Sequence, residues 1–340
     1  MKFRYRVFVC LVLLIILVSA CSQAGSQEEA PSEYQKVTVT INDTININYA
    51  PIIFAEKMGY FAEYGIELEK VKFTHVADAI PLLGSGHLDV YAGSVTSGFL
   101  FVLGEEPNIK VVADRGLVTP GQCTFLAFLI RKDLVESGQV QGPADLAGLE
   151  INATASNPTG YLLSEYLKGS GVSMNDIILT NLPEATYVDA FANKTLDGII
   201  TPEIKVTRTL KGGDSVILAA MEDVVGNYQS SVLTFGKGLI KDNPEVGVRF
   251  MAAYLKGLEI YHQGKTEENL QILHEALGEE IELLQEACWV YIHPQGLIDF
   301  ANIVPFMNWS VENGYLDAPI TEEQYWDPSF LRAAQELLGQ

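Results

Sequence analysis

Small and polar side chains fall at several places in this sequence where a strand gives way to a helix, and their chemistry is hydrogen bonding rather than bond breaking. Residues 42–49 (NDTININY) follow an alternating apolar run and end in Asn48 and Tyr49. A loop there can offer amide and phenol groups to a ligand, although asparagines also serve simply to turn a chain. Gly93, Ser94 and Thr96 present small side chains and backbone N–H groups at a helix start, an arrangement suited to a carboxylate, sulfonate or carbonyl oxygen. The competing use is capping, in which Ser94 or Thr96 spends its oxygen on the helix itself. Asn157 and Thr159, in 156–160 (SNPTG), offer the same geometry with capping by Asn157 as the alternative. Arg115 follows a strand ending at Ala113 and is the basic side chain placed at the mouth of such a crevice; we read it as a solvated arginine. Tyr49, Tyr91, Tyr161, Tyr187, Tyr228 and Trp309 are the aromatic candidates. Most such rings belong to a core or rim, but two facing ones would suit a flat heterocycle.

Reactive groups do not assemble in the same way. His75, His87, His262, His274 and His293 are scattered without metal-ligand spacing, and neither GxSxG nor a phosphate-binding glycine loop occurs. The expectation is no catalytic set, no metal and no cofactor.

The elements that would position these residues alternate. Val37, Val39 and Ile41 have strand period. Pro51 can open a helix whose apolar face is Ile52, Ala55, Met58 and Phe61, and Gly65 stops it before a strand at Ile66 and Leu68. The result is a βαβ unit, in which ligands bind at the carboxyl ends of the strands. A short helix (76–83), a strand (88–92), an apolar helix (95–103) and a strand (108–113) complete one α/β lobe. The apolar run 125–131 reads as a strand crossing to a second lobe, with strands at 149–153, 177–181, 196–201 and 215–219 and helices from Pro158 and over 184–193. HLDVYAGSVTS from His87 and TLDGIITPEIK from Thr195 occupy the same place in each alternation, which points to two similar lobes. The chain then returns through a strand at 231–235 to helices at 244–262, 266–277, 281–291, 294–313 with an interruption near Pro305, and one ending at Leu338.

The run 49–69 (YAPIIFAEKMGYFAEYGIELE), followed by GHLDV at 86–90, resembles the NMT1/SsuA-like substrate-binding proteins of ABC importers. Members capture nitrate, sulfonates, taurine, thiamine-precursor pyrimidines or riboflavin. The resemblance spans 37–339 in order. It implies an α/β, two-lobed periplasmic-binding-protein (type 2) clamp with two crossover strands and a C-terminal helical segment. The expected lobes are 37–127 plus 235–340, and 128–234. It also implies contact of 156–160 with the ligand's polar head, an ABC permease as partner, and a monomer. Thr201-Pro202-Glu203 matches a position where many relatives carry Trp-Glu-Pro. The tryptophan is absent; Glu203, if it points into the cleft, favours a donor-bearing ligand over an anion. A fungal branch that makes a thiamine pyrimidine carries a CCCFC motif, which is missing here, so its enzymatic role does not carry over. The aromatic content, the scarcity of basic residues and the lost tryptophan favour a planar heterocycle as ligand, such as a thiamine-precursor pyrimidine or a flavin, with a small anion such as an alkanesulfonate, taurine or nitrate as the alternative.

The N-terminus carries its own expectation. Lys2, Arg4 and Arg6 precede an apolar run at 7–18, and Val18-Ser19-Ala20-Cys21 is a small-residue cleavage site ending in cysteine. The run falls short of the ~20 residues that a membrane span requires. A signal peptide over 1–20, a lipidated Cys21 and a flexible tether over 21–36 follow, with the chain held outside the membrane by its lipid. Cleavage would remove three basic residues and no acidic one, deepening a formal charge already at −21. Nucleic acid is disfavoured as a partner, since it requires a basic face. Two cysteines remain, Cys123 and Cys288, either bonded to each other or free and buried.

Overall fold

The structure, a computed structural model, describes residues 34–42, 47–73 and 76–340. The expected signal peptide, Cys21, most of the tether, positions 43–46 and His75 lie outside the described residues.

Two five-stranded mixed sheets organise residues 35–340. The first comprises β1 (Gln35–Asn42), β2 (Ile66–Phe73), β3 (Val90–Ser94), β4 (Lys110–Val118) and β10 (Tyr228–Phe235), in the order β2-β1-β3-β10-β4. The second comprises β5 (Leu126–Arg131), β6 (Glu150–Asn152), β7 (Ile178–Thr180), β8 (Gly198–Pro202) and β9 (Ser215–Ala220), in the order β7-β6-β8-β5-β9. β10 runs antiparallel to β3 and β4, and β5 antiparallel to β8 and β9. Each sheet therefore receives its fourth strand from the segment arriving from the other lobe. The two crossovers lie at 119–125 and just before Tyr228, so the whole returning strand belongs to the first sheet.

The repeated Leu-Asp has a matching structural place in each sheet. Asp89, just ahead of β3, accepts from the Thr38 N–H (2.9 Å) and hydroxyl (2.8 Å) in β1. Asp197, just ahead of β8, accepts from the Glu150 N–H of β6 at 2.9 Å and pairs with Arg131 at 2.9 Å. Each aspartate fastens a central parallel strand to its neighbour.

The helices are α1 (Ala50–Lys57), α2 (Val76–Ser85), α3 (Ser97–Glu105), α4 (Pro158–Leu167), α5 (Tyr187–Ala192), α6 (Lys205–Lys211), α7 (Pro244–His262), α8 (Glu267–Leu277), α9 (Ile281–Glu286), α10 (Val304–Glu312) and α11 (Ser329–Leu338), with shorter turns unlabelled. Prolines open α1, α4, α7 and α10 at their first or second positions, where a missing N–H costs no intrahelical bond. α7 packs along α1 and α11 against the first sheet's lobe.

Four expectations are corrected. The first helix ends at Lys57 because Gly59 takes φ +77°, so Met58 lies outside its apolar face and is 39 % exposed. α9 stops at Glu286, short of 291. Residues 287–299 are irregular, and Pro305 begins α10 rather than interrupting a longer helix. β4 continues to Val118, five residues beyond the expected end, because β10 pairs with it along that length. That extension puts Arg115 inside a sheet instead of in solvent.

Candidate functional site

The carboxyl ends of the parallel strands in both sheets face one cavity of about 330 Å³. From the first lobe it is lined by Asn48, Ser94, Thr96, Arg115, Tyr228, Ser230 and Ser231, and from the second by Asn152, Thr154, Asn157, Thr159, Asn181, Glu184, Tyr187 and Thr201, with Phe125 at the crossover. Polar groups converge here on a partly apolar floor, the usual make-up of a small-molecule site. A wider groove of about 1070 Å³ between α2 and α3 shares Thr96 and Asn157 at its rim, but Pro81, Phe99, Phe101 and Val102 give it an apolar floor.

Local structure explains each placement on the first lobe. Asn48 and Tyr49 form a 3-10 turn ahead of α1 (Ile47–Tyr49), and the Asn48 amide donates to the Ser231 hydroxyl at 2.9 Å. Thr96 caps α3 by accepting from the Phe99 N–H at 3.2 Å while still lining the cavity, so the capping and lining positions coincide. Arg115 is 2 % exposed, with its guanidinium carbon 4.3 Å from the centroid of the Tyr49 ring. The solvated reading of Arg115 is thereby overturned.

On the second lobe, Asn157 precedes α4 without a side-chain capping bond. The Thr159 hydroxyl accepts from the Thr154 N–H at 3.0 Å, folding the loop back on the helix start. Gly160 permits that close return, because a Cβ there would lie 2.3 Å from the Ala155 carbonyl oxygen. Asn152 accepts from the Leu182 N–H at 2.6 Å and donates to the Tyr187 hydroxyl at 3.2 Å, joining the loops after β6 and β7. Burial and the nearby Glu184 push the Tyr187 phenol up to about 12, against the lowering effect of Asn152.

Six of the sequence candidates lie outside the cavity lining. Tyr49 lies beneath Arg115, its hydroxyl fixed on the Ala92 carbonyl at 2.6 Å. Tyr91 turns back to donate to the Ser94 carbonyl at 2.9 Å; its ring occupies the space beside Gly93, where a Cβ would lie 2.0 Å from Tyr91 Cζ. Tyr161 and Trp309 belong to an aromatic cluster with Phe306 and Tyr228, the Tyr161 ring lying 5.5 Å from Phe306, 5.6 Å from Trp309 and 5.8 Å from Tyr228. Glu203 is buried away from the cavity: its oxygens accept from the Thr207 hydroxyl (2.7 Å), the Thr207 N–H (3.0 Å) and the Cys288 N–H (3.1 Å). Burial raises its pKa, and those donors work against the rise.

Glu184, Asn152, Asn181, Ser230 and Ser231 were not read from the sequence as site residues. Asn181 and Glu184 follow β7 much as Asn48 follows β1, which was a usable signal. Ser230 and Ser231 lie within a strand, and nothing local distinguishes them.

Cys123 and Cys288 are bonded (S–S 2.06 Å), tying the crossover segment to the C-terminal helical part. Beside the bond, Arg208 and Lys211 of α6 pair with Glu279 and Glu286. Ser97 Oγ of α3 donates to the Ser156 carbonyl of the second lobe at 3.1 Å.

Comparison with known proteins accords with this architecture. The family described as NMT1/THI5 like matches residues 46–267. The formylaminopyrimidine-binding protein of Halalkalibacterium halodurans is 22 % identical over 336 residues, covering 94 % of this chain and 97 % of that protein. The riboflavin-binding protein RibY of Chloroflexus aurantiacus is 24 % identical over 267 residues, covering 75 % and 74 %. Among solved structures, the periplasmic nitrate-binding protein NrtA from Synechocystis PCC 6803 superposes with a TM-score of 0.69 at 14 % identity, covering 90 % of this chain and 89 % of that one. The α/β fold of two mixed sheets is therefore that of periplasmic binding proteins.

Proposed function

The chain belongs to the NMT1/THI5-like family, and from that premise we propose that it is an extracytoplasmic solute receptor that captures one small molecule between its lobes and delivers it to an ABC importer. The observation that carries this reading is a single cavity whose polar groups come from both lobes. A ligand touching both lobes stabilises the closed arrangement by its differential affinity, so no bond-breaking step is required. The expected lobes, 37–127 plus 235–340 and 128–234, are redrawn along the sheets: β1–β4 and β10 with the C-terminal helices form one lobe and β5–β9 the other, so the boundaries fall in 119–125 and just before Tyr228.

Recognition is assigned to Asn48, Ser94, Thr96, Arg115, Asn157, Thr159, Thr201 and Tyr228, joined by Asn152, Asn181, Glu184 and Tyr187. Tyr49, Tyr91, Gly93, Tyr161, Glu203 and Trp309 support them from behind. A planar heterocycle remains the preferred ligand class, and a cavity of about 330 Å³ is of the size that takes a small molecule. The names of two relatives, which bind formylaminopyrimidine and riboflavin, support this class; the nitrate-binding neighbour supports the small-anion alternative. The signal sequence and Cys21 support a lipid anchor on the outer side of the membrane, and a disulfide fits an oxidising compartment.

The test is a melting-temperature series on the form beginning at Ser22, with pyrimidines, flavins, sulfonates, taurine and nitrate. A ligand at a hundred times its Kd adds about 2.7 kcal/mol. A shift with one class identifies the ligand type. No shift, together with no small molecule co-purifying, would sink the receptor reading.

A further inference from the structure

Ser230 and Ser231 are neighbours in β10, yet both line the cavity. A regular strand would send them to opposite faces of the sheet. The register between β10 and β4 explains how they share one. Gln229 pairs with Leu117, Ser231 with Gly116 and Val232 with Asp114, so each strand carries one residue in excess: Ser230 on β10 and Arg115 on β4. The second excess cancels the first, and Gln229 and Val232 fall in the same alignment. Bulges of this kind re-aim side chains beside a site. A further register shift, between Leu233 and Thr234, involves no residue of the cavity lining.

A bulge takes backbone groups out of the ladder, and buried ones must then be satisfied by other partners. Two buried side chains do this here, Gln229 and Asp114, neither of which lines the cavity. Gln229 Nε2 donates to the Ser231 carbonyl at 2.9 Å, the Gly116 carbonyl at 3.2 Å and Asp114 Oδ1 at 2.8 Å. Asp114 Oδ1 also accepts from the Gly116 N–H at 2.8 Å, and the Ser230 hydroxyl donates to the Gly116 carbonyl at 2.8 Å. Asp114 is fixed from behind. Its Oδ2 accepts from the His293 N–H at 2.7 Å, its carbonyl from the Tyr254 hydroxyl at 2.6 Å, and its N–H donates to the Gly296 carbonyl at 2.8 Å. Gly116 completes the set, since a Cβ there would lie 2.7 Å from Ser231 Oγ and 3.0 Å from Asn48 Nδ2. Two lining groups thus rest directly on its backbone.

Resting on the receptor reading, we propose that Gln229 and Asp114 are positioning residues of the ligand site: they hold the two opposed bulges and so set Ser230, Ser231 and Asn48 against the ligand. Without the Gln229 donors, β4 and β10 slide towards regular pairing, which turns Ser230 out of the cavity.

The experiment compares Gln229→Met, which keeps the length of the side chain and loses its donors, with Gly257→Ala. The latter strains the contact of α7 with Pro51 and Ala55, outside the cavity lining, and so controls for lost stability alone. The full chains, purified in detergent, are titrated calorimetrically with formylaminopyrimidine, riboflavin, taurine and nitrate, and ligand-free Gln229→Met is crystallised. For every probe that the parent binds, Gln229→Met is expected to bind about 10-fold more weakly, as the bulged arrangement falls to about a tenth of the molecules. Gly257→Ala should bind as the parent does despite a lower melting temperature. In the crystal, Ser230 of Gln229→Met is expected outside the cavity. Should Gln229→Met not fold, Asp114→Asn, which keeps one acceptor oxygen, is read by the same two measurements, with about 3-fold weaker binding expected. Unchanged affinity in the variant, equal weakening in Gly257→Ala, or both bulges intact in the variant's crystal would each overturn the proposal while leaving the receptor reading intact. If none of the four probes binds the parent, the crystal structure alone decides the proposal. The receptor reading then falls only if mass spectrometry of the purified chain also finds no retained small molecule.

Discussion

The Glu203 carboxylate accepts a hydrogen bond from the Cys288 N–H at 3.1 Å across 85 residues of sequence, and Cys288 is itself bonded to Cys123. A second-lobe side chain, the crossover and the C-terminal helical part thus meet behind the cleft. Reduction of this disulfide, or Cys123→Ser with Cys288→Ser, is expected to lower unfolding free energy by about 2–4 kcal/mol, since the bond closes a long loop. Urea titration with and without a dithiol reads this, and an unchanged midpoint would contradict it.

Burial pushes the Asp114 carboxyl up to about 6, although N–H donors from His293, Gln229 and Gly116 pull it down. A folded pKa above the unfolded one means the native state binds the proton more tightly. Its stabilising contribution is complete below the ordinary aspartate pKa and is lost as pH rises through about 6. Asp114→Asn should remove that slope. It should also cost about 1–3 kcal/mol, because the amide keeps one acceptor oxygen where the carboxylate has two. Parallel stability profiles of parent and variant between pH 4 and about 7 would reject the assignment.

Gly257 of α7 sets how closely that helix approaches α1. A Cβ at this position would lie 2.1 Å from the Pro51 carbonyl oxygen. Gly257→Ala is expected to destabilise by about 1–3 kcal/mol through overpacking, measurable by denaturant unfolding. An alanine variant as stable as the parent would show that the helices separate freely.

Tyr161 of α4 packs on Phe306 and Trp309 of the C-terminal part, and Ser97 reaches the Ser156 carbonyl nearby. These contacts join the start of α4 to α10 and α3. Tyr161→Ala should raise the radius of gyration of the ligand-free protein in solution scattering. It should also weaken ligand binding by ~10-fold, because the binding-competent arrangement becomes less populated. Scattering curves identical to the parent's would assign Tyr161 a purely local packing role.

The sequence by itself determined the alternation of strands and helices. Apolar residues at strand or helix period, prolines at helix starts and glycines at helix ends act within a few residues of themselves. The helix Pro244–His262 begins and ends where those signals lie, and the repeated Leu-Asp marked two equivalent lobes. Several loops that line the cavity were legible for the same reason, since Ser94, Thr96, Asn157 and Thr159 sit where strands end and helices begin. Tertiary structure alone decided which polar groups face inward. Arg115 reads as solvated until β10, more than a hundred residues later in the chain, extends β4 past it and buries it. Glu203 and Glu184 are both acidic residues following second-lobe strands, yet one is spent on Thr207 and Cys288 while the other lines the cavity. Whether Cys123 meets Cys288 depends on where the C-terminal helices return, which no local pattern encodes. Short-range preferences fix the elements; the direction of a side chain is fixed by partners that sequence distance conceals.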